Sequence, residues 1–147
     1  RLRAVTASTD RSYYAVLLPQ INASSRHDWH VNAQAMLQHT DIVFLDPDNG
    51  LLVKSVTLGS RKNNKYVLQI EIANYFTNEK SVIFYNHRCR EKEFVYLQRF
   101  AWIHEDKTLE TAYLAGVKFV RGTTRDYIFL LQPHRTAPHH DNNGTSG

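Results

Sequence analysis

Four apolar runs, each bounded by polar residues, predict the strands of this protein. Asp41–Asp46 (DIVFLD) and Ser81–Asn86 (SVIFYN) each place about four consecutive apolar residues between polar ends. This pattern is typical of strands covered on both faces, as in a parallel sheet. Val117–Val120 and Asp126–Leu131 flank the polar loop RGTTR, which contains Gly122, and predict an antiparallel hairpin.

Segments with helical spacing lie before and between these runs, at Arg11–Leu18, Asp28–Gln38 and Glu91–Ile103. Pro19 ends the first segment, and Ser25 with Asp28 forms a capping-box pattern at the start of the second. The predicted core-facing residues are Trp29, Ala33, Met36 and Leu37 in the second helix and Phe94, Leu97 and Ala101 in the third. Strands alternating with helices, followed by a hairpin, predict an α/β fold.

The segment Lys65–Phe76 fits two patterns. Its apolar residues alternate as in a strand up to Ile72, yet Leu68, Ile72 and Phe76 also lie on one helix face. We favour a short extended stretch followed by a helix from about Leu68. The reason is that the two flanking apolar strands need a crossover connection if they lie parallel.

Composition indicates one globular domain. The chain has 147 residues, of which 42% are hydrophobic and 22% charged, and this excludes disorder, collagen-like repeats and a coiled coil. We expect a single α/β domain over residues 1–132. The tail at 133–147 lacks apolar periodicity and is expected to be disordered or added during cloning.

The distribution of apolar residues and cysteine predicts a cytoplasmic protein. No apolar run approaches the roughly 18–20 residues that a membrane span needs, so we expect no membrane contact. Cys89 is the single cysteine, which excludes an internal disulfide framework and a cysteine-rich zinc site. We therefore expect the chain to be soluble and intracellular.

The charge pattern points to a polyanionic partner. The formal net charge is +4, and residues 61–126 carry twelve basic and eight acidic side chains. A basic face of this kind suits nucleic acid, and a mildly basic solvated surface is the alternative. The candidate phosphate-binding residues are Arg88, Arg90, Lys92, Arg99, Arg121 and Arg125.

The strongest local motif is Asp46–Gly50 (DPDNG), directly after the apolar run IVFL. In open parallel sheets the carboxyl ends of the strands are where ligands bind. The alternative is an Asx-type turn in which Asp48 and Asn49 bond only to local backbone groups. A functional site is favoured because a carboxylate at the end of an apolar strand, here that of Asp46, needs a partner.

A second polar motif, Asn86–Arg90 (NHRCR), follows the next apolar strand. If the two strands lie side by side, His87 and Arg88 emerge near Asp46 and Asp48. A histidine there suits a general acid or base, a metal ligand or a donor to a base. The alternative is a histidine that bonds to a carbonyl group.

Weaker candidates lie elsewhere. His27 and His30 are three residues apart, as a helical metal site requires, but no third ligand is evident. Cys89 has basic neighbours, although no motif marks it as a nucleophile.

The runs DIVFLDPDNGL, KYVLQIEIANYF and SVIFYNHRCR resemble the distal half of bacterial and phage proteins related to class I Rossmann-like methyltransferases. The resemblance covers about residues 40–133. In such enzymes a D/N-P-P-[YFW]-type motif follows the fourth strand, the fifth strand comes next, and an antiparallel hairpin closes the sheet. It implies a Rossmann-like three-layer α/β fold, mostly parallel with a C-terminal antiparallel hairpin. The first strands of the family would be missing, because only one strand (Arg3–Thr6) and two helices fit before Asp41.

The resemblance also implies S-adenosyl-L-methionine-dependent methyl transfer to nucleic acid. Asp46, Asp48, Asn49 and His87 would then be catalytic, and Asp46 and Pro47 would contact the cofactor. Asp48 and Asn49 replace the second proline and the aromatic residue of the family motif, so its clamp for a flipped base is absent. No glycine-rich cofactor loop is evident either. Three explanations are open: the chain is a fragment, a partner chain or a second copy completes the site, or S-adenosyl-L-methionine is not bound in the usual way.

Two other functions compete with methyl transfer. A PD dipeptide ending at Asp48, followed by Glu71, imitates the PD-(D/E)xK nuclease motif, in which carboxylates bind Mg²⁺ and a lysine orients water. Ala73 replaces that lysine, Lys65 is the nearby substitute, and Gln69–Ile72 would have to be a strand. The other alternative is a non-catalytic nucleic-acid-binding or assembly module.

Overall fold

A computed structural model describes residues 4–5, 13–14, 16, 18, 23–58, 60, 62–88 and 90–133. The strands are β1 (Ala4–Val5), β2 (Tyr13–Tyr14), β3 (Ile42–Leu45), β4 (Gly50–Leu51), β5 (Tyr66–Val67), β6 (Ser81–His87), β7 (Tyr113–Arg121) and β8 (Thr123–Leu131). The helices are α1 (Ala23–Met36), α2 (Gln69–Thr77), α3 (Glu93–Leu97) and α4 (Trp102–Glu105). Single 3₁₀ turns occupy Asn63–Lys65, Gln98–Phe100 and Lys107–Leu109. The tail predicted at 133–147 lies outside the described residues except for Pro133.

Six strands form one mixed sheet in the order β2-β1-β3-β6-β8-β7. Only β3 and β6 run parallel, with Val43 opposite Val82, and the other four neighbouring pairs are antiparallel. The prediction of a mostly parallel sheet is therefore wrong. The physical reason is which strands become neighbours: β7 and β8 meet across Gly122 and so run antiparallel, and β8 rather than β7 pairs with β6. The parallel pair and the terminal hairpin themselves are confirmed.

The ambiguous segment is a short strand followed by a helix, as predicted. β5 ends at Val67, and α2 begins at Gln69. Glu71 stabilises this start, because its Oε2 accepts the backbone N–H of Leu68 at 2.9 Å. The buried face of α2 includes Ile72 and Phe76, which belong to the predicted helical stripe.

The two N-terminal helix predictions need correction. The segment Arg11–Leu18 is wrong as a helix at Tyr13–Tyr14, which is strand β2 and pairs with β1. The helix prediction rested on one apolar pair, Tyr14 and Leu18, four residues apart. The strand hydrogen bonds between β2 and β1 take precedence over this weak local preference. Helix α1 begins at Ala23 rather than Asp28, and Met36 is exposed at its end. The other predicted inner residues of this helix, Trp29, Ala33 and Leu37, are buried.

The third predicted helix is broken, and its inner face was wrongly placed. The predicted stripe of Phe94, Leu97 and Ala101 is exposed. The buried residues of this region are Tyr96, Phe100 and Ile103. Two stripes with similar spacing exist here, and aromatic packing selects between them. The Phe100 ring lies 5.4 Å from that of Tyr96 and 6.2 Å from that of Phe84 in β6.

The two faces of the sheet differ in burial. Residues alternate along β3 and β6 between buried and half-buried positions, which differs from the expectation of strands covered on both faces. Phe84 and its strand neighbours on one face join the hydrophobic core with the helices. The residues of the opposite face, which we call the open face, are half-buried: Ile42, Phe44, Ile83, Tyr85, Tyr127 and Phe129. In the described part of the chain no helix has the length and apolarity needed to cross a membrane.

Candidate functional site

The DPDNG loop lies beside the end of β6, as the sequence predicted. The backbone N–H of Asn49 donates to the carbonyl of Lys65 at 2.9 Å. The carbonyl of Asn49 accepts the backbone N–H of His87 at 3.3 Å. The loop is therefore held between the start of β5 and the end of β6, and the two predicted polar motifs share one edge of the sheet.

Gly50 allows this close approach. Its φ of +101° lies in a region that favours glycine, and a Cβ built there would lie 2.1 Å from Oδ1 of Asn86. Asn86 is buried, and its Oδ1 accepts the backbone N–H of Leu51 at 2.8 Å. Its Nδ2 donates to the hydroxyl of Tyr96 at 2.8 Å. Asn86 thus joins the DPDNG loop to α3, a structural role that the sequence motif did not reveal.

Polar side chains of the open face meet at this edge, and we call Asp46, Tyr85, His87 and Arg125 the polar corner. Tyr85 Oη lies 3.1 Å from Nδ1 of His87, and His87 pairs in register with Arg125. Burial raises the pKa of the Tyr85 hydroxyl; the Arg125 guanidinium opposes this, while Tyr127 and the Asp46 carboxylate contribute in the same direction as burial. Tyr85 therefore stays protonated at neutral pH and is a hydrogen-bond donor or acceptor.

Aromatic rings continue from the polar corner across the open face. Phe44 and Tyr127 stack with ring centroids 6.2 Å apart and planes at 28°. The Tyr85 and Tyr127 rings are 5.8 Å apart. Phe129 follows Tyr127 two residues later in β8, and Phe119 of β7 pairs with Arg125, so strand alternation places both on the same face. We call these five aromatic residues the aromatic face.

The residues of the DPDNG motif differ in accessibility. The side chains of Asp46 and Asp48 are exposed, and Asn49 is half-buried. Pro47 is fully buried, which leaves no surface for the predicted cofactor contact, and its packing supports the turn. The carboxylates of the motif, unlike its proline, are therefore accessible to a ligand.

The predicted phosphate-binding residues fall into two groups. Arg88 bonds to Glu93 at 3.0 Å and to Asp126 at 3.4 Å, and its guanidinium lies 4.6 Å from the centre of the Tyr96 ring. Only 13% of its side chain is exposed, so it stabilises the core face of this edge. Arg99 forms a similar intramolecular pair with Glu91 at 2.6 Å. The exposed members are Arg90, Lys92, Arg121 and Arg125.

Glu71 does not take the position that the nuclease hypothesis requires. It lies in helix α2, and its buried carboxylate accepts two bonds from Arg26, at 2.6 and 2.8 Å. Arg26 also donates to the carbonyls of Asn63 and Tyr66. Gln69–Ile72 is therefore not the strand that the nuclease hypothesis requires, and this carboxylate is neutralised within the protein. Nothing in the sequence linked Arg26 to Glu71, which are 45 residues apart.

The two histidines of α1 point to different environments. His30 is buried, its ring lies edge-on 5.0 Å from that of Tyr75, and burial lowers its pKa. His27 is exposed. Within the described ranges, no group of three or more histidine, cysteine, aspartate or glutamate side chains is placed to hold a metal ion. Cys89 lies outside the described residues.

A second concave region lies beyond the DPDNG loop. It is an open cavity of about 610 Å³ between the segment after β4 and the α3–α4 region. Its lining residues are Leu51, Leu52, Val53, Lys54, Ser55, Gln69, Glu91, Val95, Gln98, Arg99, Ala101, Trp102 and Glu105. The Arg99–Glu91 ion pair neutralises two of the charges in its wall.

Together the fold and the site define a mixed α/β sheet protein with an open aromatic face and a polar corner. Comparisons with protein-family models, with curated proteins and with solved structures found no match. The geometry of the site is therefore the basis for assigning a function.

Proposed function

We propose that this protein binds single-stranded nucleic acid on its open sheet face. The observation that carries the proposal is the continuity of the polar corner with the aromatic face. Bases stack on exposed aromatic rings of a sheet, and arginine side chains at the rim bind phosphates. Both kinds of group lie here on one surface.

The aromatic face would receive the bases. Phe44, Tyr127 and Phe129 are half-buried, so each ring is supported by packing and still accessible. A ring held in this way loses little conformational entropy when a base stacks on it. Stacking contributes roughly 1–3 kcal/mol per base and depends little on sequence.

The polar corner and the hairpin would receive the phosphates and base edges. Arg125 is exposed, and Arg121 lies on the same face, because β7 and β8 pair Arg121 with Thr123 and Phe119 with Arg125. The carboxylate of Asp46 would accept a hydrogen bond from an exocyclic amine of a base, in the way that aspartate and glutamate accept from the N4 amine of cytosine. His87 and Tyr85 supply further donors and acceptors beside it.

Fluorescence anisotropy with a labelled single-stranded oligonucleotide tests this proposal. We expect Tyr127→Leu, which removes a stacking ring, and Arg125→Gln, which removes a phosphate contact, each to raise the dissociation constant roughly tenfold. A tenfold change corresponds to a loss of about 1.4 kcal/mol of binding free energy. Phe94→Leu and Lys107→Gln remove an exposed aromatic ring and an exposed cation outside the open face and serve as matched controls. Equal affinity in all four variants, or no binding by the wild-type chain, would refute the proposal.

Methyl transfer is a second candidate, and strand order favours it. The order β3-β6-β8-β7, with one parallel and two antiparallel pairs, agrees with a fourth strand, a fifth strand and a closing hairpin in the methyltransferase-like fold. In this interpretation, a layer of helices from another segment or chain would cover the open face and complete a three-layer Rossmann-like arrangement.

The described residues do not fit S-adenosyl-L-methionine by themselves. The neighbour of β3 on its outer side is the two-residue strand β1, which runs antiparallel, so it presents no carboxyl end beside the DPDNG loop. Isothermal titration distinguishes the two candidates: saturable heat with S-adenosyl-L-methionine supports methyl transfer, and its absence alongside oligonucleotide binding supports a binding module.

A further inference from the structure

The last strand of the sheet, β7 (Tyr113–Arg121), has an unusually exposed edge. Among the described strands it has a neighbour, β8, on one side only, and all nine of its residues are exposed. Five of them are large and apolar, with exposed fractions from 40 to 67%. Proteins usually protect such an edge by shortness, proline, bulges or charge, because its free N–H and C=O groups attract another strand.

We propose that β7 pairs with β7 of a second copy of this chain, antiparallel and centred on Val117. This pairing joins the two sheets into one continuous sheet across a two-fold axis. It also satisfies the backbone N–H and C=O groups of β7 that point away from β8. The chemistry of the strand argues for a second copy rather than a different partner, since β7 is complementary to itself in this register.

The complementarity is visible in the pairs that the register creates. Arg121 falls opposite Tyr113, a cation–aromatic pair, and Phe119 falls opposite the small Ala115. The remaining pairs are Leu114 with Val120, Gly116 with Lys118, and Val117 with itself. No two like charges are opposed, and every large side chain meets a small or apolar one.

Other centres of symmetry are less favourable. Centring on Lys118 places two ammonium groups directly opposite each other, which is destabilising. Centring on Gly116 places Val120 and Arg121 opposite Ala112 and Thr111, which lie outside β7, so part of the strand is not paired with strand. The register centred on Val117 is therefore the one that uses the whole strand and separates the charges.

Analytical ultracentrifugation of the full chain without nucleic acid tests the pairing. We expect a dimer for the wild type, and Val117→Lys and Val117→Asp should each raise the dissociation constant at least about tenfold through repulsion at the axis. An equimolar mixture of the two variants should restore the dimer. Val95→Lys and Val95→Asp, at a similarly exposed valine of α3, are the controls and should remain dimeric.

Oxidative cross-linking tests the register itself. In a Cys89→Ser background, Val117→Cys should form an intermolecular disulfide, because the two side chains meet at the axis. Leu114→Cys, which faces Val120, should not. A monomeric wild type, a Val117→Lys variant that stays dimeric, a mixture that stays monomeric, or cross-linking at Leu114→Cys in place of Val117→Cys would each overturn the proposal. These results do not depend on nucleic-acid binding, so the two proposals succeed or fail separately.

Discussion

Replacement of Gly50 by alanine should damage the protein at the junction between the DPDNG loop and β6. An alanine at φ of +101° costs about 1–2 kcal/mol in backbone strain. The added Cβ would lie 2.1 Å from Oδ1 of Asn86 and 2.7 Å from its backbone Cα, so the loop or the strand has to move. Such movement weakens the buried bonds of Asn86 to Leu51 and Tyr96, at about 1–3 kcal/mol for the groups left unsatisfied.

We therefore expect Gly50→Ala to lower the free energy of unfolding by about 2–5 kcal/mol, measured by urea denaturation. Gly122→Ala is the matched control, because Gly122 also has a positive φ, +73°, but nothing lies within 4 Å of its added Cβ. That control should lose only the backbone term, about 1–2 kcal/mol. Both substitutions restrict the unfolded chain equally, so the comparison isolates the contact with Asn86. Equal losses in the two variants would refute the argument that close approach requires this glycine.

Three further outcomes follow from the buried groups and the charge. Arg26→Met should cost about 3–5 kcal/mol in urea denaturation, because it leaves the Glu71 carboxylate buried without its partner. Arg26→Met with Glu71→Leu should recover only part of this loss, because the Leu68 N–H and the carbonyls of Asn63 and Tyr66 also lose a partner. Burial holds the pKa of His30 below 6.5, so the unfolded chain binds this proton more readily. The stability that this group contributes is present above about pH 6.5 and is lost as the pH falls below it. In urea unfolding between pH 5 and 8, His30→Gln should therefore show a weaker dependence of the free energy of unfolding on pH than the wild type. Affinity for a single-stranded oligonucleotide should fall steeply with salt, and a flat dependence between 50 and 200 mM would contradict phosphate binding.

The local pattern of the sequence was sufficient for the central part of the fold. The apolar runs of β3 and β6, the crossover through α2 and the terminal hairpin all follow from periodicity and turn residues, which act over a few positions. The adjacency of the DPDNG and NHRCR motifs followed in turn, because parallel neighbours end at the same edge. The sequence therefore predicted that Asp46 and His87 share an edge on the condition that the two strands are neighbours, and the pairing of β3 with β6 meets that condition.

The inner face of the α3 region shows where periodicity is insufficient. The stripes through Phe94 and through Tyr96 have nearly the same spacing, so hydrophobic periodicity alone does not show which of them faces the core. Tyr96 faces the core because its hydroxyl accepts a hydrogen bond from Asn86 and its ring packs against Phe100. Those partners come from different elements, so only the assembled core decides between the stripes.

Tertiary structure also decided which charged residues are accessible. Arg26 pairs with Glu71, 45 residues away, and Arg88 bonds to Asp126 of the neighbouring strand. These charges are therefore neutralised within the protein. Arg125, which is also a strand residue at this edge of the sheet, stays exposed on the open face. Sequence determines which side chains a segment carries and which local backbone it favours. The pairing of distant charges, and hence which of them face a ligand, depends on the topology that brings the segments together.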